Sequence, residues 1–246
     1  MKTSPNNPSR RGLAWAIVGG AVLLVGILAI ILAAIFSGGS PTTPTETAPP
    51  GATPTTMPTE PAVSEFVDSS VTEKGWVPEP ITTDPETYIR AALAAASTFD
   101  TQLSTRPEWL TYLDTWFSPD TRYASEEDRQ SDMQASQLEM RQGVVLPEAE
   151  WDSLANEDGR VVAEAVGDIE YSDVPGDDSG GMSIGTADVV LTFTRSDGNG
   201  SETAYQDTVR VSVQILCVEG SVPTPNTAQQ SGDCKVVRYF SGSLEP

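Results

Sequence analysis

Apolar residues recur along this chain in three rhythms, and each rhythm predicts a different kind of element. The first is unbroken. Leu13 to Phe36 reads LAWAIVGGAVLLVGILAIILAAIF, 24 residues without a charge. A helix of that length reaches about 36 Å, enough to cross a hydrocarbon core of about 30 Å with some tilt. It is longer than the roughly 7–15-residue core of a cleaved signal peptide, and no A-x-A site follows it. Lys2, Arg10 and Arg11 precede it, and the next basic residue is Lys74. The spacing predicts a transmembrane helix at 13–36, a cytoplasmic tail at 1–12 and an extracytoplasmic remainder.

The second rhythm is helical and begins only after a spacer. Ser37 to Ala62 holds seven prolines and eight threonines in 26 residues, which favours extended polyproline geometry and cannot build a core. Residues 63–83 are transitional, with Phe66, Trp76 and Ile81 placed to tuck onto a domain or a partner, so the spacer is drawn as 37–83. Asp84-Pro85-Glu86 is a helix start, followed by Ile89, Leu93, Ala96 and Phe99 at helical spacing. Thr105-Arg106-Pro107-Glu108 is another, leading into Trp109, Leu110, Leu113, Trp116 and Phe117. A more polar helix is expected from about Glu126 to Gln142, with a thin stripe of Met133, Leu138 and Met140.

The third rhythm has period two. In 160–171 the odd positions run Val161, Ala163, Ala165, Gly167, Ile169 and Tyr171. In 186–195 they run Ala187, Val189, Leu191 and Phe193. Val209, Val211, Val213, Ile215 and Cys217 then face one way, with Arg210, Ser212 and Gln214 on the other side. Cys234 to Phe240 makes a last strand, and Ser196-Asp197-Gly198-Asn199-Gly200 is a turn. About four strands and two or three covering helices predict an α+β domain over 84–246 with a curved antiparallel sheet. Cys217 closes one strand and Cys234 opens the next, so their side chains can meet. Outside the cytoplasm a disulfide is expected, closing a loop of roughly 18 residues worth about 3 kcal/mol.

Charge and composition then narrow the function. Residues 84–246 carry 29 acidic and 10 basic side chains, which repels phosphate backbones and argues against nucleic-acid binding. The chain has no histidine and two cysteines, which removes Ser-His triads, imidazole general bases and closed zinc or iron–sulfur sites. Asp173, Asp177 and Asp178 lie in a Gly-rich run without the spacing of a calcium loop, and Asp197-Gly-Asn-Gly fails the same test. No catalytic, cofactor-binding or metal-binding residue is assigned, and no cofactor is expected. The site residues proper are the disulfide pair Cys217 and Cys234.

Several stretches carry a resemblance. They are Ala91 to Phe99, Arg106-Pro107-Glu108-Trp109-Leu110 with Leu113, VVLPEAEWDSL (144–154), Glu157-Asp158-Gly159-Arg160, GTADVVLTFTR (185–195), VRVSVQILC and DCKVVRYF. With the anchor and the spacer, they resemble actinobacterial accessory membrane proteins of conjugative elements. These have a nuclear-transport-factor-two-like (SnoaL-like) cone domain related to the inner-membrane subunits of type IV secretion. The resemblance implies a single-pass, non-enzymatic scaffold in a conjugative or secretion assembly. Its partners would be the membrane and envelope proteins, with self-association left open. A small-ligand or sensor module is the alternative, and a cone-fold enzyme stands third because the usual histidine of those enzymes is missing.

Overall fold

The computed structural model describes residues 65–242, and the predicted membrane helix, most of the spacer and the last four residues lie outside them. Among the described residues no helix is long and apolar enough to cross a membrane. The chain enters as a strap over residues 65–83. Val67 N–H donates to the Glu79 carbonyl and Ile81 N–H to that of Glu65, both at 2.9 Å, closing the strap on itself. Within it a 3-10 helix, Ser69–Lys74, is capped by the Asp68 carboxylate, which accepts from Ser70 N–H at 2.9 Å. Val71 and Trp76 are buried, and the Trp76 indole donates to Ser104 Oγ at 2.8 Å. These residues, drawn above as spacer, thus pack into the core of the domain.

Four α-helices follow where two or three were expected. Helix α1 (Pro85–Ala95) is capped by Asp84 and buries Tyr88, Ile89, Ala92, Leu93 and Ala95, a stripe at i, i+4 and i+7 spacing. Helix α2 (Arg106–Asp114) opens with a capping box between Thr105 and Glu108 and buries Trp109, Leu110 and Leu113. Helix α3 (Glu126–Gly143) buries only Ser136 and Met140, with Met133 packed partly against the core. Leu138, expected in that stripe, is 50% exposed, because five residues at about 100° each turn it some 140° from Met133. Helix α4 (Glu148–Ala155) went unread as a helix: it is eight residues long, starts at Pro147 without a side-chain cap, and buries Trp151 and Leu154.

The sheet has five antiparallel strands in sequence order, one more than expected. They are β1 (Phe99–Asp100), β2 (Arg160–Asp173), β3 (Met182–Ser196), β4 (Glu202–Leu216) and β5 (Lys235–Ser241). The added strand, β1, is two residues long and carries no readable period. In β2 the pairing slips between Val166↔Asp188 and Glu170↔Thr186. Gly167 sits in the slip with φ +71°, a conformation that glycine adopts without steric cost. The slip is even and keeps the faces, so Ile169 beyond it still packs partly against the core, whereas Tyr171, expected on the inner face, is 51% exposed. A second irregularity lies between Gln214 and Ile215 of β4 against β5, and such slips bend a sheet.

Helix α1 packs against β2, β3 and β4, and α3 runs along β5. The approach of α1 is close: a Cβ at Gly185 of β3 would stand 2.5 Å from Ile89 Cδ1. The main core lies between these helices and the inner face of the sheet, centred on Tyr88, Ile89, Leu93, Trp109, Trp116, Val213 and Ile215. At the Leu216 end the outer face is covered too, by a small cluster of Val174, Met182, Ile184, Leu216 and Val237. Ser212 and Gln214, read above as an outward polar face, are buried there. Ser212 Oγ pairs with Thr186 Oγ1 at 2.7 Å, and the Gln214 amide donates to Met182 Sδ at 3.4 Å.

Candidate functional site: a groove at the mouth of the fold

Helix α3 ends at Gly143, where the N–H groups of Val144 and Val145 both donate to the Met140 carbonyl, at 3.0 and 3.1 Å. The chain then crosses toward α4, and Arg106 Nη2 holds the Leu146 carbonyl at 3.1 Å. Between this crossing and the inner face of β2, β3 and β4 lies a groove of about 440 Å³. Its sheet wall is Val161, Leu191, Phe193, Val209 and Val211, and its helix-side wall is Gln142 to Pro147. Ser241 and Gly242, at the end of β5, border it on one side.

An aromatic stack closes the depth of the groove. Phe99 lies 4.1 Å from Trp151 and 5.0 Å from Trp109 between ring centroids, and the two indoles are 5.5 Å apart. The groove therefore ends on Phe99 and does not continue into the core. At its outer lip Tyr205 stacks flat on Phe193 at 4.8 Å, and Arg195 lies over the Tyr205 ring. Charge is sparse. Asp207 contributes a carboxylate, whereas Arg210 spends its guanidinium on Asp188 and Glu170 at 2.9 and 2.5 Å. Asp207 Oδ1 accepts the Thr208 N–H at 2.8 Å.

A buried polar cluster lies at the other end of the sheet, and sequence reasoning missed it. Glu79 Oε1 receives Lys235 Nζ at 2.8 Å, the Tyr88 hydroxyl at 2.7 Å and the Gln229 amide at 3.1 Å. Lys235 Nζ also donates to the Thr115 carbonyl at 2.7 Å and to Thr224 Oγ1 at 3.0 Å. Both charged side chains are almost wholly buried, at 1% and 0% exposure. Burial pushes the Lys235 ammonium below its ordinary value although Glu79 opposes the shift, and burial with the Glu79 charge pushes Tyr88 well up. The cluster ties strap, α1, β5 and the loop after Cys217 together, and none of Glu79, Tyr88, Gln229 and Lys235 lines the groove. It is a structural clamp. Its partners lie 156 residues apart, and neither has a local pattern that announces the other.

Cys217 and Cys234 form a disulfide joining the ends of β4 and β5, with Cα atoms 4.0 Å apart. Cys234 N–H donates to the Thr82 carbonyl at 2.8 Å, which sets the bond against the strap. The two acidic loops close on themselves. Asp177 accepts from Ser179 N–H, Ser179 Oγ and Met182 N–H, and Asp197 Oδ1 from the N–H groups of Asn199 and Ser201. Among the described residues no group of three or more acidic or sulfur side chains is placed to hold a metal ion.

No family model matches this chain, and no curated protein does. Among solved structures, one similar chain is an IcmL-like type IV secretion system protein from Legionella pneumophila. It is 11% identical, with 66% of this chain and 95% of that one covered at a TM-score of 0.38. Another is CagV, a VirB8 homolog of the type IV secretion system of Helicobacter pylori. It is 13% identical, with 63% and 93% covered at a TM-score of 0.36.

Proposed function

We propose that this chain is a single-pass membrane protein whose extracytoplasmic α+β domain serves as a non-enzymatic assembly component of an envelope complex of the conjugative or secretion kind. The groove carries this reading. It is open, aliphatic along the sheet and closed in depth by Phe99, with one carboxylate at its rim. Protein-binding surfaces combine an apolar centre with a polar rim, whereas small-molecule sites use several convergent polar groups to orient their ligand. The anchor predicted at 13–36, the Pro/Thr spacer and the resemblance to accessory proteins of conjugative elements supply the setting. A small-ligand module is the second reading, favoured by a volume within the range of such pockets.

The test is isolation of the tagged chain from membranes of its native host, at low and then high salt. Envelope proteins should be recovered with a yield that falls as salt rises, because an acidic domain meets a basic face through charges that salt screens. A protease added to intact cells should cut the domain beyond residue 62. Protection until lysis would reverse the orientation. Recovery of nucleic acid at physiological salt, or turnover of a substrate abolished by Asp207→Asn, would replace the scaffold reading.

A further inference from the structure

The sheet's edges are treated unequally. Along β2, Arg90 Nη1 and Nη2 donate to the carbonyls of Ala165 and Gly167 at 3.2 and 2.8 Å, and Thr98 Oγ1 accepts the Ala163 N–H at 3.0 Å. Along β5, Ser118 N–H donates to the Val236 carbonyl and Val236 N–H to that of Trp116, at 2.8 and 3.0 Å. Strand β4 is different. Its pairing with β5 begins at Val211↔Ser241, so among the described residues the stretch before Val211 pairs with β3 alone. Asp197 N–H donates to the Ser201 carbonyl at 3.0 Å, which makes the odd residues of β4 the ones bonded to β3. The backbone groups of Ala204, Gln206 and Thr208 therefore face away. Apart from the Thr208 N–H, held by Asp207, they meet no protein group among the described residues. Residues Glu202–Thr208 are all exposed. Such an edge is a template for another strand.

We propose that the free edge of β4 from Ala204 to Thr208, with the groove beside it, takes an extended segment of a basic partner protein as an added strand in line with β5. This rests on the protein-binding reading above and names its mode. An added strand satisfies the outward N–H and C=O groups and points every second side chain over Leu191, Val209 and Val211. Asp207 selects a lysine or arginine on that face. The chain's own spacer is a poor occupant, because its seven prolines between Ser37 and Ala62 lack the N–H that the edge requires. A second copy is disfavoured by charge: two chains of net charge −21 would bring Glu202 and Asp207 from both sides to one edge.

The probe is the peptide acetyl-Lys-Thr-Val-Thr-Val-Thr-Lys-amide, whose groove-side face carries two valines flanked by lysines, added to the purified full-length chain. It should bind and slow hydrogen exchange at the Ala204 and Gln206 amides. The same peptide N-methylated at alternate residues on its edge-facing side should bind at least about tenfold more weakly, since two or three backbone hydrogen bonds are lost. An acetyl-Glu-Thr-Val-Thr-Val-Thr-Glu-amide control should not bind. Gln206→Pro removes an outward N–H without touching the β3 ladder and should abolish binding. Asp207→Lys keeps the edge and should weaken the lysine peptide severalfold.

Equal binding by wild type and Gln206→Pro, or by the plain and N-methylated peptides, overturns the strand addition. So does failure of the wild type to bind the lysine peptide. Self-association of the wild type that Gln206→Pro abolishes would assign the edge to a second copy and overturn the partner named here. If Gln206→Pro still recovers the same envelope proteins from membranes, the edge falls and the assembly reading stands. If the wild type recovers none, the assembly reading falls.

Discussion

From Glu202 to Thr208 every residue of β4 is exposed, whereas from Val211 to Leu216 every one is buried, within one continuous strand of 15 residues. The lower half has α1 on its inner face, β5 at its side, and the cluster of Val174, Met182 and Val237 beyond. Its polar residues, Ser212 and Gln214, are hydrogen-bonded because nothing else would let them be buried. Among the described residues the upper half pairs only with β3. Its polar residues stay in water, and its one aromatic pair sets half-exposed Tyr205 against Phe193 at the margin of the core. Stability is therefore concentrated below Val209, and the exposed edge proposed for partner binding lies above it.

Removing the lower clamp tests that division most severely. Glu79→Ala leaves the Lys235 ammonium buried without its partner and should cost about 3–5 kcal/mol in urea unfolding of the full-length chain. A loss under 1 kcal/mol would mean that water reaches the cluster. Cys217→Ser should cost about 2–5 kcal/mol by freeing the loop between β4 and β5. An unchanged melting temperature would show that the bond contributes nothing below Val209.

Alkaline pH should act on the same half. Burial raises Tyr88, Tyr112 and Tyr239 above the ordinary phenol value of 10.0. The unfolded chain thus loses its tyrosine protons first, so the stability they lend is complete below pH 10 and is lost as pH climbs past it. Urea midpoints measured from pH 8 to 11.5 should fall beyond about pH 10, less steeply for Tyr239→Phe. A midpoint that stays level through that range contradicts the burial of these hydroxyls. The smallest effect belongs above Val209. Tyr205→Ala should cost about 0.5–1 kcal/mol, the worth of one half-exposed ring stack. A loss beyond 2 kcal/mol would erase the contrast between the halves.

The long elements were legible because each declares its period locally. The apolar odd positions from Ala187 to Phe193 and from Val209 to Ile215 lie where alternation puts them, and Asp84 and Thr105 cap α1 and α2. Strand β1 is too short to have a period, and α4 has too few turns and no side-chain cap. Gly167 within a strand was a local mark of a bulge, whereas the exposure of Tyr171, opposite Gly185 on the inner face, carried no local mark. The groove was legible only in part. Leu191, Phe193, Val209 and Val211 read as inner-face positions, but whether such a face is filled or open depends on the reach of α3 and α4, set by residues far away in sequence. Glu79 and Lys235 found each other only in three dimensions.

The strap gives the fold a direction under load. Tension arriving at Glu65 passes through the Glu65–Ile81 and Val67–Glu79 hydrogen bonds to the Glu79–Lys235 pair, next to the covalent Cys217–Cys234 cross-link. It is taken up at the Leu216 end of β4, where two strands are stapled. The free edge lies toward the opposite end of a 15-residue strand, on the order of 50 Å long. Force applied at Glu65 is thus taken up far from the exposed edge of β4.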